Sequence, residues 1–228
     1  MKKKPQIQNL NIQFFHNILD FLSRLYKITA EVFMKTNIYI FRHGQTIWNA
    51  EGRPQGQHPY PIALTVTGKE QCEQLAEKLK GKEIKHIISS DLLRAEQSAK
   101  IIADKIGASI ELDNRLREIN YGILNGIYTI ERDEIFPDYK KCYKNFDLKF
   151  PEGESFSEVI ERLHSAIVDA AKKYCGENIA ISSHGRALIA FLGSIFNYKT
   201  LKFNNCDYAL ISYEHETNSF EAVKLPEK

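Results

Sequence analysis

The stretch YIFRHGQTIWNAEGRPQG, Tyr39 to Gly56, decides how the chain is read. Its apolar beginning, residues 38–41, has the pattern of a short buried strand and ends abruptly in Arg42-His43-Gly44. Asn49 follows His43 by six residues. Such a junction is either a plain surface turn or a catalytic loop at the carboxyl end of a β-strand. The rest of the chain decides between them.

Working outward, Thr67-Gly-Lys-Glu70 has the capping-box pattern, with Leu75 and Leu79 behind it at helical spacing. Residues 84–89 read as a strand and 91–106 as a helix stopped by Gly107. Residues 109–112 form a third strand candidate. Ser155-Phe-Ser-Glu158 is a second capping box, opening a long helix with Phe156, Val159, Leu163, Ile167 and Tyr174 on one face. Residues 178–183 read as a strand, 186–196 as a helix, and 208–213 and 220–223 as closing strands. Strands alternating with helices predict an α/β fold with a mostly parallel sheet covered on both faces, a three-layer α/β/α sandwich. In such sheets ligands bind beyond the carboxyl ends of the strands. Three segments fall there: Arg42-His43-Gly44, Ser89-Ser90-Asp91-Leu92-Leu93-Arg94, and Ser183-His184-Gly185.

The 228 residues suit one large domain with a substantial core. Lys and Arg total 31 against 29 Asp and Glu, a net charge of +2. Residues 1–36 hold six basic and two acidic residues, about +4, which leaves 25 against 27, about −2, for the remainder. A body with that balance is not a nucleic-acid binder. Cysteines at 72, 142, 175 and 206 form no CxxC pair, which speaks against a zinc site and for reduced cytoplasmic thiols. No apolar run approaches the length of a membrane span. Residues 1–33 differ in character, with Phe15, Ile18, Leu22, Leu25 and Val32 at helical spacing behind MKKK. Three readings stand for this extension: an amphipathic helix on a membrane or partner, a helix packed on the domain, or a segment upstream of a start at Met34. The last two rank above membrane contact.

Taken singly, each polar residue has a plain structural explanation. Taken together, Arg42, His43, Arg94 and His184 at one sheet edge would repel one another if all were charged. They make sense around a dianion such as a phosphoryl group, whose oxygens take bidentate guanidinium contacts. Neighbouring Arg charge lowers a histidine's pKa, keeping His43 neutral and nucleophilic. Gly44, lacking a Cβ, would let the backbone approach the phosphate. Glu118, in RLREINYG, is the candidate proton donor to the leaving oxygen, so an acidic to neutral optimum is expected.

On these residues the chain resembles the histidine phosphatase superfamily, the phosphoglycerate mutase-like fold. RHGQTIWN, SSDLLRAEQSA, LREINYGILNG, PEGES and SHGRALI resemble the family's blocks in the family's order, over residues 34–228. The resemblance implies that His43 becomes the phosphohistidine, that Arg42, Arg94 and Asn49 hold the phosphoryl oxygens, and that His184 supports the same group. Gly44 and Gly185 complete the implied binding set. Glu118 is implied as the acid and then as the base that activates water. No metal or cofactor is implied, and the partner is a small phosphorylated metabolite. The segment QGQHPYPIALTVTG runs about two residues longer than usual, which puts His58 and Tyr60 near the pocket mouth. His58 more simply reads as a solvated loop residue, and His86, His164 and Trp48 as structural. Family mutases carry a longer, Arg-rich insertion where this chain has residues 127–150, with Arg132 its one arginine beside Lys140, Lys141, Lys144 and Lys149. A phosphatase is therefore expected ahead of a mutase, with a phospholigand-binding module third. Substrate choice is expected to lie with the Tyr60 loop and residues 140–149.

Overall fold

The computed structural model describes residues 16–19, 21, 34–198 and 200–226. The expected extension over residues 1–33 lies outside them, apart from 16–19 and 21, which are helical and exposed. Six strands form one sheet: β1 (Lys35–Arg42), β2 (Ile84–Ser89), β3 (Ser109–Leu112), β4 (Asn178–Ser183), β5 (Tyr208–Glu214) and β6 (Ser219–Lys224). Their order is β3-β2-β4-β1-β5-β6. The first four run parallel to one another, and β5 and β6 add an antiparallel edge. The strand candidates read from the sequence all appear, lengthened by no more than a few residues.

Alternation along the strands splits the core in two. Ile38, Ile40, Ile179 and Ile181 face one side, while Tyr39, Phe41 and Ala180 face the other. The first side is covered by α6 (Phe156–Lys173) and α7 (Gly185–Phe196). The second is covered by α2 (Val66–Leu79) and α3 (Leu93–Ile106). This is the three-layer sandwich. A one-residue slip of β1 would carry its isoleucines to the wrong layer, so burial on both faces fixes the register.

Helix ends follow local chemistry. Ser155 and Glu158 form a reciprocal capping box at the start of α6. Gly107 ends α3 at φ +76°, a conformation that favours glycine. The expected box at Thr67 is corrected: α2 starts at Val66, and Thr65 Oγ1 accepts from the Gly68 N–H. Thr65 Oγ1 also donates to the Gln45 carbonyl at 3.2 Å, so a tertiary contact selects the earlier threonine. Two short helices, α4 (Arg132–Ile135) and α5 (Tyr139–Cys142), shape the segment between the acid loop and α6. A four-residue helix, α1 (Ile47–Ala50), follows the Arg42–Gly44 turn.

Thr65→Ala should destabilise the protein by about 1 kcal/mol through loss of the cap, whereas Thr67→Ala should change stability by only a few tenths. Urea midpoints of the two variants measure this; equal losses would restore the cap at Thr67.

Candidate active site

The parallel ladder places the site. Arg42 stands opposite Ser183 and Ser89 opposite Ser182. The chain leaves the sheet at neighbouring points, with His43 N donating to Ser183 O at 3.1 Å and Ser90 N to Ser182 O at 2.9 Å. The rings of His43 and His184 therefore meet, with centroids 5.2 Å apart. A cavity of about 830 Å³ opens over these strand ends. Arg42, His43, Asn49, Arg94, Glu118 and Gly185 all line it. His184 is fully buried directly behind His43.

His43 is only 2% exposed. Its Nδ1 lies 2.7 Å from the Gly44 carbonyl. A carbonyl can only accept, so the proton sits on Nδ1 and the Nε2 lone pair is free. Burial, reinforced by the Arg94 and Arg42 guanidinium groups, holds His43 well below its ordinary 6.5. His184 is held low by burial first and then by Arg94. Its Nε2 is 2.8 Å from Ser90 Oγ, and its Nδ1 has no partner among the described residues.

The two arginines form a buried cationic wall. Arg94 gives one nitrogen to the Gly56 carbonyl at 2.8 Å, and Arg42 gives one to the Phe203 carbonyl at 2.8 Å. The Nε of each is buried and meets no acceptor among the described residues. Burial lowers the Arg94 pKa to about 10, and Arg42 is lowered for the same reason. Both remain cations at neutral pH. Gly185 leaves room for Arg42: a Cβ there would stand 3.2 Å from Arg42 Nε.

Glu118 is anchored at the start of α7. Its Oε1 accepts from the N–H groups of Ile119 at 3.0 Å and Ala187 at 2.8 Å, and its Oε2 accepts from Arg186 N at 3.1 Å. The helix dipole favours an acidic group at this place. The loop behind it is clamped by Arg162, which donates to the carbonyls of Arg115, Arg117 and Glu118. Glu154, from the PEGES segment, takes two bonds from the same guanidinium and one from Asn120 N. Arg162 sits in a helix on a polar face, and nothing local in the sequence marks it.

Asn49 Oδ1 accepts from Thr46 N, Thr46 Oγ1 and Asn205 Nδ2. What Asn49 offers the cavity is its NH₂ group. Asn205 also donates to the His43 carbonyl at 3.0 Å. It comes from the loop before β5, where spacing carries no signal for it.

Three expectations need correction. Gly44 does not line the cavity, and its N–H is spent on Ser98 Oγ at 3.0 Å. Glycine is needed there because a Cβ would strike the Gly68 carbonyl at 2.4 Å, so the constraint is close packing of the turn on α2. Tyr60 is 64% exposed, and neither it nor His58 reaches the cavity. His58 packs edge-on against Trp48 with centroids 5.0 Å apart. Of the four lysines in 140–149, Lys140 alone lines the cavity, joined by Arg132, Arg186 and Lys202. His86 stacks on Tyr174 and His164 packs on Phe220, both remote from the site. Among the described residues no group of three His, Cys, Asp or Glu could hold a metal ion, and no helix is long and apolar enough to cross a membrane.

A sandwich of this topology with paired imidazoles and guanidinium groups at the strand ends defines an enzyme of the histidine phosphatase class. The chain belongs to the histidine phosphatase superfamily (branch 1), which matches residues 38–226. A probable phosphoglycerate mutase GpmB of Enterobacter sp. (strain 638) is 37% identical over 184 residues, spanning 78% of this chain and 85% of that protein. GpmB of Yersinia pestis (strain Pestoides F) is 35% identical over 187 residues, with the same coverage. Among solved structures, YhfR of Bacillus stearothermophilus superimposes with a TM-score of 0.74 at 26% identity, covering 83% of this chain and 96% of that one. A mycobacterial glucosyl-3-phosphoglycerate phosphatase in complex with VO3 has a TM-score of 0.74 over 84% of this chain and 99% of its own, a likeness of fold at 22% identity.

The depressed imidazoles have a consequence for stability. The folded state takes up fewer protons than the unfolded chain as pH falls below about 6.5. The neutral pair's contribution is therefore complete above that pH and is lost on acidification, by up to about 1.4 kcal/mol per pH unit for each group. Urea unfolding between about pH 7.5 and pH 5 should show a steeper loss for the native sequence than for a His43→Asn/His184→Asn variant. Parallel curves would show that the two rings are not held neutral by the fold.

Proposed function

We propose that the protein is a phosphomonoester hydrolase that works through a phosphohistidine on small phosphorylated metabolites. One observation carries the reading: an imidazole with a free Nε2 lines the same cavity as two buried guanidinium groups and the Asn49 amide. Two cations beside a neutral nucleophile call for an anionic substrate, and a phosphoryl group takes charge-assisted hydrogen bonds from guanidinium groups.

In the first step His43 Nε2 attacks phosphorus. The N–P bond forms as the P–O bond to the leaving group breaks, and Glu118 gives its proton to the departing oxygen. Arg42, Arg94 and the Asn49 amide hold the equatorial oxygens, where negative charge is greatest. His184, whose Nε2 shares a hydrogen bond with Ser90 Oγ, supports the same group from behind His43. In the second step water attacks phosphorus, Glu118 takes the water's proton, and the N–P bond breaks to restore neutral His43. Glu118 Oε2 accepts a single N–H, which leaves it the oxygen better able to hold the transferred proton.

Hydrolysis is favoured over transfer by the small cap. Residues 127–150 form it, with two four-residue helices, and so short a cap leaves water free to reach the phosphohistidine. Isomerisation of phosphoglycerate is the second reading, supported by the name that the GpmB relatives carry.

His43→Ala should lower release of phosphate from p-nitrophenyl phosphate by more than about 1,000-fold, and Arg94→Met by about 100-fold. Turnover unchanged in His43→Ala would remove the assigned nucleophile. Incubation with 3-phosphoglycerate and a bisphosphoglycerate primer should yield free phosphate faster than 2-phosphoglycerate; the reverse would establish the mutase.

A further inference from the structure

Two of the four cysteines meet beside the catalytic turn without entering its chemistry. Cys72 Sγ lies 3.5 Å from Cys206 Sγ, across 134 residues of chain. Cys72 is fully buried on α2, and Cys206 is partly exposed in the loop before β5. Cys206 holds φ +58°, a left-handed conformation uncommon outside glycine, and it is in this conformation that its thiol reaches Cys72.

Both residues touch the backbone that carries His43. A Cβ on Gly44 would come within 2.9 Å of Cys72 Sγ, so this sulfur packs directly under the turn. Cys206 N donates to the Arg42 carbonyl at 3.1 Å. Its neighbour Asn205 bonds the His43 carbonyl and Asn49 Oδ1. The sulfur pair thus lies against the Arg42–Gly44 segment, Cys72 through its Sγ under Gly44 and Cys206 through its backbone N–H on Arg42.

We propose that Cys72 and Cys206 are a redox-active dithiol, which peroxide oxidises to a disulfide that reversibly disables the active site. One thiolate attacks hydrogen peroxide, forming an S–O bond as the O–O bond breaks and the departing hydroxide takes a proton to leave as water. The second sulfur then attacks the sulfenic acid; the S–S bond forms, the S–O bond breaks and a second water leaves. The sum is two thiols and one peroxide giving one disulfide and two waters. The hydrogen bond shared with Cys206 holds the Cys72 thiol below its ordinary range, which favours a thiolate within the pair. A disulfide of about 2.05 Å requires the sulfurs to close by about 1.5 Å. Cys72 is fixed within a helix, so the loop of Cys206 moves and draws Asn205 off His43 and Asn49. Displacements of about 1 Å at a catalytic group can cost 100-fold in rate.

The test treats the reduced full chain with hydrogen peroxide in the presence of a chelator. Free thiols should fall from four to two, and a digest should yield a cross-linked pair of peptides containing Cys72 and Cys206. Turnover of p-nitrophenyl phosphate should fall at least about tenfold and return with dithiothreitol. Cys206→Ser and Cys72→Ala, each compared with its own untreated form, should stay within about twofold. Three results would overturn the proposal: no cross-linked peptide, an equal loss of turnover in Cys206→Ser, or a disulfide that leaves turnover unchanged. The thiol count and the peptide map are independent of the hydrolase reading, so failure of that reading is distinguishable from failure of this one.

Discussion

Everything at the active site depends on the parallel pairing of β1 with β4. Arg42 opposite Ser183 makes the next residue of each strand a histidine, and the His43 N–H closes the ladder on the Ser183 carbonyl. The same ladder continues to β2, and Ser90, the residue after that strand, reaches His184. Register in a sheet buried on both faces is strongly specified, because a slip of one residue exchanges the two faces of every strand. The hydrophobic core therefore sets the distance between two imidazoles, even though neither ring belongs to that core.

Concentrating two guanidinium groups beside two imidazoles under little solvent opposes folding. The fold meets this by keeping both rings neutral and by tying each arginine to one backbone carbonyl. It also places Glu118 close enough to offset part of the lowering that burial imposes on both arginines. Both arginines line the cavity, and the Nε of each is left without a partner among the described residues. Such local unfavourable electrostatics is a common feature of sites preorganised for a charged transition state.

Around that first ring lies a second set of contacts that does no chemistry and still determines it. Arg162 and Glu154 hold the Glu118 loop, Asn205 holds the His43 carbonyl, and Ser98 takes the Gly44 N–H. Gly44 belongs to this set. Its missing side chain lets the catalytic turn lie against the Gly68 carbonyl of α2, which couples the helix start at Thr65 and the Cys72 sulfur to the position of His43.

Much of this was legible in the chain. Alternation and capping boxes mark the strands and the long helices because those signals are local, arising from side-chain period and from orphan N–H groups. His43, Arg42, Arg94, Glu118 and His184 stand out because few structural needs place such groups after strands or at helix starts. What tertiary structure alone decided is whatever depends on contacts between distant segments. Thr65 caps α2 in place of Thr67 because Gln45 is there to receive its hydroxyl. Tyr60 faces solvent while Arg132 is buried beside the cavity. Asn205 and Arg162 became supports, and Cys72 found Cys206 across 134 residues. A sequence records which groups are present and their local periodicity; which of them meet is set by the packing of the two layers on one sheet, and that is a property of the whole chain.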